Sequence, residues 1–169
     1  MSLSVYQLTI PSLLRGFDVL STYVEKAAEY ARTNNIPPDA IISARLAPDM
    51  LTFAGQIQRA SDKSKGGVAR ITGVEAPRFE DTEVTFEDLQ GRIANTVHFL
   101  KSIEENRFVG AETRAIEIKF RSIGGVFTGE TYVTSILLPD FYFHIATAHG
   151  ILRSRGLPIG KADYLGRIG

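Results

Sequence analysis

Apolar residues recur along this chain at helical spacing in four long segments and at strand spacing in one short one. The first segment carries Leu8, Leu13, Leu14, Phe17, Leu20, Val24, Ala27, Ala28 and Ala31, close to the roughly 3.6-residue period of a helix. Ser4 and Gln7 stand as a capping box before it. Pro11 falls inside the pattern and is expected to kink the helix or mark its true start. Asn34-Asn35 and Pro37-Pro38 end it, and residues 39–47 read as a short helical turn and a connection.

A second helix is expected from Pro48, with Met50, Phe53, Ala54, Ile57, Ser61, Ser64, Val68 and Ile71 as its core stripe and Gly73 closing it. Residues 74–84 are acidic, lack periodicity and read as loop. Thr85 with Asp88 opens a third helix whose buried face is Phe86, Leu89, Ile93, Thr96, Val97, Leu100 and Ile103. The period then changes. Ile116, Ile118 and Phe120 share one face and Glu117 and Lys119 the other, the alternation of a strand. Ser122 to Gly125 offers turn residues, and Val126-Phe127 begins a return strand, so a β-hairpin is expected at 113–127.

The fourth helical segment, residues 128–155, is apolar on nearly every face past its first turns. Such a helix is expected to be wrapped by other helices or by membrane. Thr128 or Gly129 caps it, Pro139 should kink it near Leu137 and free the carbonyl of Ser135, and Gly156 stops it ahead of a glycine-rich tail. Four long helices with a hairpin before the last make a mainly α fold, a four-helix bundle with a small β insertion. Residues 1–169 read as a single domain, with no repeat and no interdomain linker.

Composition narrows the function classes. Lys plus Arg and Asp plus Glu are both 19, so the formal net charge is zero. A nucleic-acid binder normally carries a basic excess, so no nucleic-acid partner is expected. With no cysteine, disulfides, thiolate nucleophiles and Cys-ligated zinc are excluded, which suits a reducing cytoplasm. The first residues do not read as a signal peptide, and the apolar runs fall well short of the ~20 residues that span a bilayer. A cytoplasmic protein without a membrane partner is expected.

Two of the three histidines, His144 and His149, lie on the fourth helix. Five residues correspond to about 500° of helix, so the two side chains diverge by about 140°. That spacing favours core or interface histidines over a shared metal. His98 is expected to be solvated or half-exposed. Gln58, Asp62 and Lys65 fall on one line of the second helix beside its apolar stripe. They read either as a solvated flank with an ion pair or as the polar lining of a pocket between helices. Gln56 lies on the other flank, and Tyr142 and Tyr132 could add hydroxyls to the same cavity.

Several stretches taken together resemble a family of bacterial and fungal domains of unknown function, grouped with the DinB/YfiT-like four-helix bundles. They are MSLSVYQLTIPSLLRGF, ARLAPDMLTFAGQIQRASDKSKGGVARITG, TFEDL, FTGETYV, LPDFYFHIATAHGILRSRG and GKADYLG, in order over almost the whole chain. The resemblance implies a DinB-like fold. In the wider superfamily it also implies a divalent metal, often nickel or zinc, held by one histidine of the second helix and two of an HxxxH on the fourth. Here Gln56 stands near the first of those positions, and Ile145 lies four residues before His149, with His144 one step off.

The reading that follows is a DinB-like bundle with a degenerate metal site and a small-molecule pocket. As an enzyme it would be a transferase or isomerase acting on a small organic molecule, with His144, His149, Asp62 and Tyr142 as candidate catalytic groups. Gln56, Gln58 and Lys65 would line the pocket. No cofactor follows from the residues themselves. If nickel or zinc binds, His144 or His149 with Gln56 would hold it. The alternative is a non-catalytic small-molecule-binding or dimerisation module. The expected partners are a small molecule and a second copy of the chain, with Phe141–His149 of the fourth helix facing Gln56 and Gln58 across the only sizeable cavity.

Overall fold

The computed structural model describes residues 3–119 and 124–166. Four long helical rods run through them: α1 (Val5–Thr33), α3 (Phe53–Thr72), α4 (Phe86–Lys101) and a composite of α5 (Gly129–Tyr132) and α6 (Leu138–Ser154). Two short helices, α2 (Asp39–Ile42) and α7 (Lys161–Leu165), lie after the first rod and after the last. The strands β1 (Ala115–Lys119) and β2 (Gly124–Thr128) pair antiparallel just before α5, in a register that sets Ile116 opposite Phe127 and Ile118 opposite Gly125.

Each rod is set by local chemistry. Ser4 and Gln7 form the expected capping box, and α1 then runs unbroken from Val5 through Pro11. Pro11 does not mark the start: it is exposed, so the carbonyl left without its N–H partner can face water. The helix expected from Pro48 begins later, at Phe53. Thr52 takes the N-cap by accepting from the Gly55 N–H, and Phe53 N–H donates to the Ala44 carbonyl at 2.8 Å, which holds residues 44–52 as a folded connection. Met50 is therefore half-buried and outside the helix. Gly73 ends α3 with φ +75°, a left-handed value that glycine adopts without penalty. Thr85 and Asp88 close the capping box of α4.

The rods form a ring in which α1 packs on α4 and α6, and α3 packs on the same two helices. Their stripes meet in one core that buries Leu13, Phe17, Leu20 and Tyr23 of α1, Phe53 and Ile57 of α3, Leu89 and Leu100 of α4, and Phe141 and Ile151 of α6. Each such side chain contributes roughly 1.5–3 kcal/mol of burial free energy. Ile116 and Ile118 close the core from the hairpin, while Glu117 and Lys119 face solvent. Phe120 and Ser122, which belong to the same expected hairpin, lie outside the described residues.

The last rod departs from a uniform helix where the sequence placed its kink. Residues Val133–Leu137 widen into a π-helical turn, in which Leu138 N–H bonds to the Val133 carbonyl five residues back. Pro139 then sits in the first turn of α6, where a missing N–H costs little. Nor is this rod wrapped on every side: Phe143 and Ala146 are exposed. The tail read as glycine-rich folds instead into α7, whose Asp163 accepts from the Gly160 N–H at 2.7 Å and which rests on α1 and α6.

Candidate functional site

His144 and His149 leave α6 in different directions, as the divergence of about 140° requires. His144 points at α3. Its Nδ1 lies 2.8 Å from Gln56 Oε1, and both residues are buried. Because Gln56 Nε2 donates to the Leu51 carbonyl at 3.2 Å, its oxygen is left to accept from the ring. On the other side His144 Nε2 stands 3.3 Å from Asp140 Oδ1, an ion pair whenever the ring is protonated. Asp140 Oδ2 is 2.9 Å from Lys63 Nζ. Hydrogen bonding from His144, and then from Lys63, holds the Asp140 carboxyl below its usual range against the opposing effect of burial. A continuous polar chain thus runs Leu51–Gln56–His144–Asp140–Lys63 across the α3–α6 contact.

His149 points at α1. Its Nδ1 lies 2.7 Å from the hydroxyl of Tyr23, a side chain with no exposed surface. That hydroxyl has no other acceptor among the described residues, so it donates to Nδ1 and leaves the ring hydrogen on Nε2. Burial, and then Arg153, pushes the His149 imidazole below its usual range, with Asp163 opposing. Burial likewise pushes the Tyr23 phenol up, reinforced by Asp163 and Tyr164. Tyr164 of α7 meets His149 edge-on with ring centroids 6.3 Å apart, and an ion pair between Lys26 and Asp163 ties α7 to α1.

The line Gln58–Asp62–Lys65 faces away from both histidines. It meets Arg92 of α4, whose guanidinium is 1% exposed. Arg92 reaches Asp62 at 2.9 Å, Glu83 at 2.9 Å and Asp81 at 3.0 Å, and donates to the Glu80 carbonyl at 3.1 Å. Gln58 Nε2 donates to Glu83 at 2.8 Å. Lys65 Nζ donates to the Pro77 carbonyl at 3.0 Å and sits 3.6 Å above the Phe79 ring. Burial pushes the Lys65 ammonium below its ordinary range, with Asp62 pulling it back. Burial alone would raise the Glu83 carboxyl, but hydrogen bonds from Arg92 and Gln58 outweigh it and hold the group low. The acidic connection between α3 and α4 is therefore clamped on the bundle. Gln58, Asp62 and Lys65 belong to that clamp; only Gln56 faces α6.

Tyr142 donates to the Ser12 carbonyl at 3.3 Å and accepts from Arg15 at 3.0 Å, so its hydroxyl ties α6 to α1. Tyr132 is buried, with Arg70 on its hydroxyl. His98 is exposed on α4, as its position off the stripe predicts.

The open clefts lie elsewhere than expected. An apolar one of about 500 Å³ runs between the C-terminal half of α1 and residues 157–159, lined by Tyr30, Thr33, Leu157, Pro158 and Ile159 with Glu25, Lys26 and Glu29 at its polar edge. Another, of about 620 Å³, lies between Val74–Phe79 and α4 beside His98. Neither these two nor three more clefts along α1 and α4 are lined by Phe141–His149 or Gln56. These clefts correct the expectation that the histidines' stretch lines the only sizeable cavity; on its α1 side Phe141 and Ile145 pack against Gly16, where an added Cβ would come within 2.3 Å of the Phe141 ring.

The residues present do not fit a three-ligand metal centre. Among the described residues no three His, Cys, Asp or Glu side chains are grouped so that they could hold a metal ion. Ile145, at the position an HxxxH would need, is buried in the apolar core, and Gln56 turns its oxygen to His144. A lone amide is in any case a weak donor to nickel or zinc.

Sequence reasoning missed Tyr23, Lys63, Arg92, Asp140 and the partners they make. One signal was available for Arg92: it lies three residues after Leu89 and four before Thr96, hence on the buried side of α4. A charge on a core stripe calls for buried counter-charges, and the acidic connection supplies them.

A family model for a domain of unknown function, DUF1993, matches residues 5–165. The chain is also similar to a DinB family member protein from Shewanella denitrificans, whose crystal structure superposes with a TM-score of 0.90 at 36% sequence identity, over 96% of this chain and 92% of that one. No curated protein matches.

Proposed function

The chain belongs to the DUF1993 family of domains of unknown function, within the DinB-like helical bundles, and on that premise we propose a non-catalytic small-molecule-binding module. In it, hydrogen bonds replace the metal centre of the superfamily. One observation carries this reading: His144 Nδ1 is committed to Gln56 Oε1 at 2.8 Å, where a histidine ligand would otherwise face the ring. His149, the remaining candidate ligand, is committed to Tyr23. The ligand would occupy the apolar cleft between α1 and residues 157–159, which suits a small organic molecule with one polar group reaching Lys26 or Glu29.

A second reading, a transferase or isomerase without bound metal, draws on the Tyr23–His149 pair. Burial keeps that imidazole neutral to lower pH than a free histidine, and a proton would be taken up at Nδ1, the one ring nitrogen without a hydrogen, once the Tyr23 hydroxyl that donates to it turns away. The two readings part in one experiment on protein purified without a histidine tag. Elemental analysis should find no nickel or zinc at parity with the chain, and a thermal-shift screen of small organic molecules should raise Tm in the wild type and in His149→Gln alike. Binding lost in Leu157→Asp but kept in His149→Gln supports the module. A stoichiometric metal lost in His149→Ala overturns it.

A further inference from the structure

The cleft between α1 and residues 157–159 has apolar walls and a charged rim. Tyr30, Leu157, Pro158 and Ile159 enclose a space of about 500 Å³, within the roughly 300–1,000 Å³ of small-molecule sites. Gly156, at φ +91°, turns the chain at the head of this wall. A Cβ there would come within 2.8 Å of the Tyr30 hydroxyl, so the ring packs under the turn. The charged residues of the rim, Glu25, Lys26 and Glu29, all come from α1. Glu25 and Glu29 are one turn apart on one row of the helix, while Lys26 lies on the next row with Tyr30 and Thr33.

These charges differ in what they are free to bind. Lys26 is paired with Asp163 of α7. Asp163 is held in place, because its other carboxylate oxygen accepts from the Gly160 N–H at 2.7 Å. Glu29 meets Arg32 at 2.6 Å, in a pair whose side chains are 74% and 62% exposed, the kind that solvent screens most. Glu25 has neither a cation nor a hydrogen-bond donor on its carboxylate among the described residues. Counted with the partners Arg32 and Asp163, three carboxylates face two cations at this rim.

We propose that the ligand of this cleft is a hydrophobic primary amine, with its apolar body on Tyr30, Leu157, Pro158 and Ile159 and its ammonium between Glu25 and Glu29. This rests on the cleft being the ligand site, and it fixes which sign of charge the ligand's polar group carries. Like charges one turn apart on a helix repel each other; an ammonium between them relieves that repulsion and gives Glu25 its partner. The Tyr30 ring adds an aromatic surface, to which cations are attracted. A carboxylate ligand would reach Lys26 only against the fixed Asp163, with Glu25 and Glu29 alongside. A neutral alcohol would leave the excess negative charge unanswered.

Three probes of similar shape test this: phenethylamine, phenethyl alcohol and hydrocinnamate, each titrated into the tag-free full chain. Binding is followed by the amide signals of Tyr30, Leu157 and Ile159 in nitrogen-15 correlated NMR. The amine should bind about fivefold tighter than the alcohol, the scale of one surface charge pair, and hydrocinnamate more weakly than either. Glu25→Gln should remove the amine's advantage, and so should salt at about 1 M, which shortens the screening length to roughly 3 Å. Equal binding of amine and alcohol, tighter binding of hydrocinnamate, or an advantage that survives Glu25→Gln would each overturn the proposal. In those cases shifts at Leu157 and Ile159 would still leave the cleft a ligand site. Should none of the probes move these signals, the cleft reading and the proposal fall together. If Glu25→Gln fails to fold, the salt dependence of the wild type decides.

Discussion

His144 and His149 stand five residues apart on one helix, and each ring is spoken for by a different neighbour: Gln56 of α3 and Tyr23 of α1. Removing either ring strands a buried partner. His144→Ala leaves Gln56 Oε1 without a donor and opens a void beside it, for an expected loss of about 2–4 kcal/mol. His149→Ala leaves the fully buried Tyr23 hydroxyl without an acceptor, for about 1–3 kcal/mol. Urea unfolding of the two variants checks both values, and a double-mutant cycle of His144→Ala with Gln56→Ala should show coupling rather than additivity. The pH dependence has a definite sign. The folded pKa of His149 lies below the ordinary 6.5, so the unfolded chain binds the proton more readily. The stability this gives is present above pH 6.5 and is lost as pH falls toward the folded value. Asp140 and Glu83 are also held low, so their contributions persist until the pH falls through the carboxylate range. Unfolding free energy measured against pH should therefore decline in two stages, and His149→Gln should erase the first stage while leaving the second.

Among the elements, the ends of α1, α3 and α4 were legible because their signals are local. Ser4 with Gln7, Gly73, and Thr85 with Asp88 each act within one turn of themselves. The same holds for the alternation of Ile116 and Ile118. Thr52 displaced Pro48 as the start of α3 because a side-chain acceptor on an orphan N–H outweighs a proline's preset φ. The Arg92 clamp could not be read from spacing, since its carboxylates lie 9 to 30 residues away in sequence. Removing the guanidinium leaves Asp62, Asp81 and Glu83 crowded without their central counter-charge. Arg92→Met should cost about 3–5 kcal/mol and expose residues 74–84 to limited proteolysis, which mass mapping of the fragments would locate. Close helix contact depends on Gly67 as well, where a Cβ would come within 2.4 Å of Leu137 Cδ1 beside the π-helical turn. Gly67→Ala should destabilise by about 1–3 kcal/mol, as overpacking does, read as a lowered Tm with no loss of helix signal.

For the whole molecule, the bundle with its late hairpin was visible in the sequence, because four amphipathic stripes and one change of period leave few arrangements. The site was legible only in part. The divergence of the histidines follows from helix geometry, and Gln56 was placed opposite α6. That Gln58, Asp62 and Lys65 serve a different surface depends on α4 and the connection before it, which no pattern within α3 reports. Both imidazoles of α6 are held by hydrogen bonds, and in the proposed reading they share no metal. Nitrogen-15 NMR of the histidine rings, recorded before and after one equivalent of zinc and then of nickel, separates the two possibilities. His149 should carry its hydrogen on Nε2, and the His144 and His149 ring signals should be unchanged by either metal. A concerted shift or broadening of both rings at one equivalent would contradict that reading.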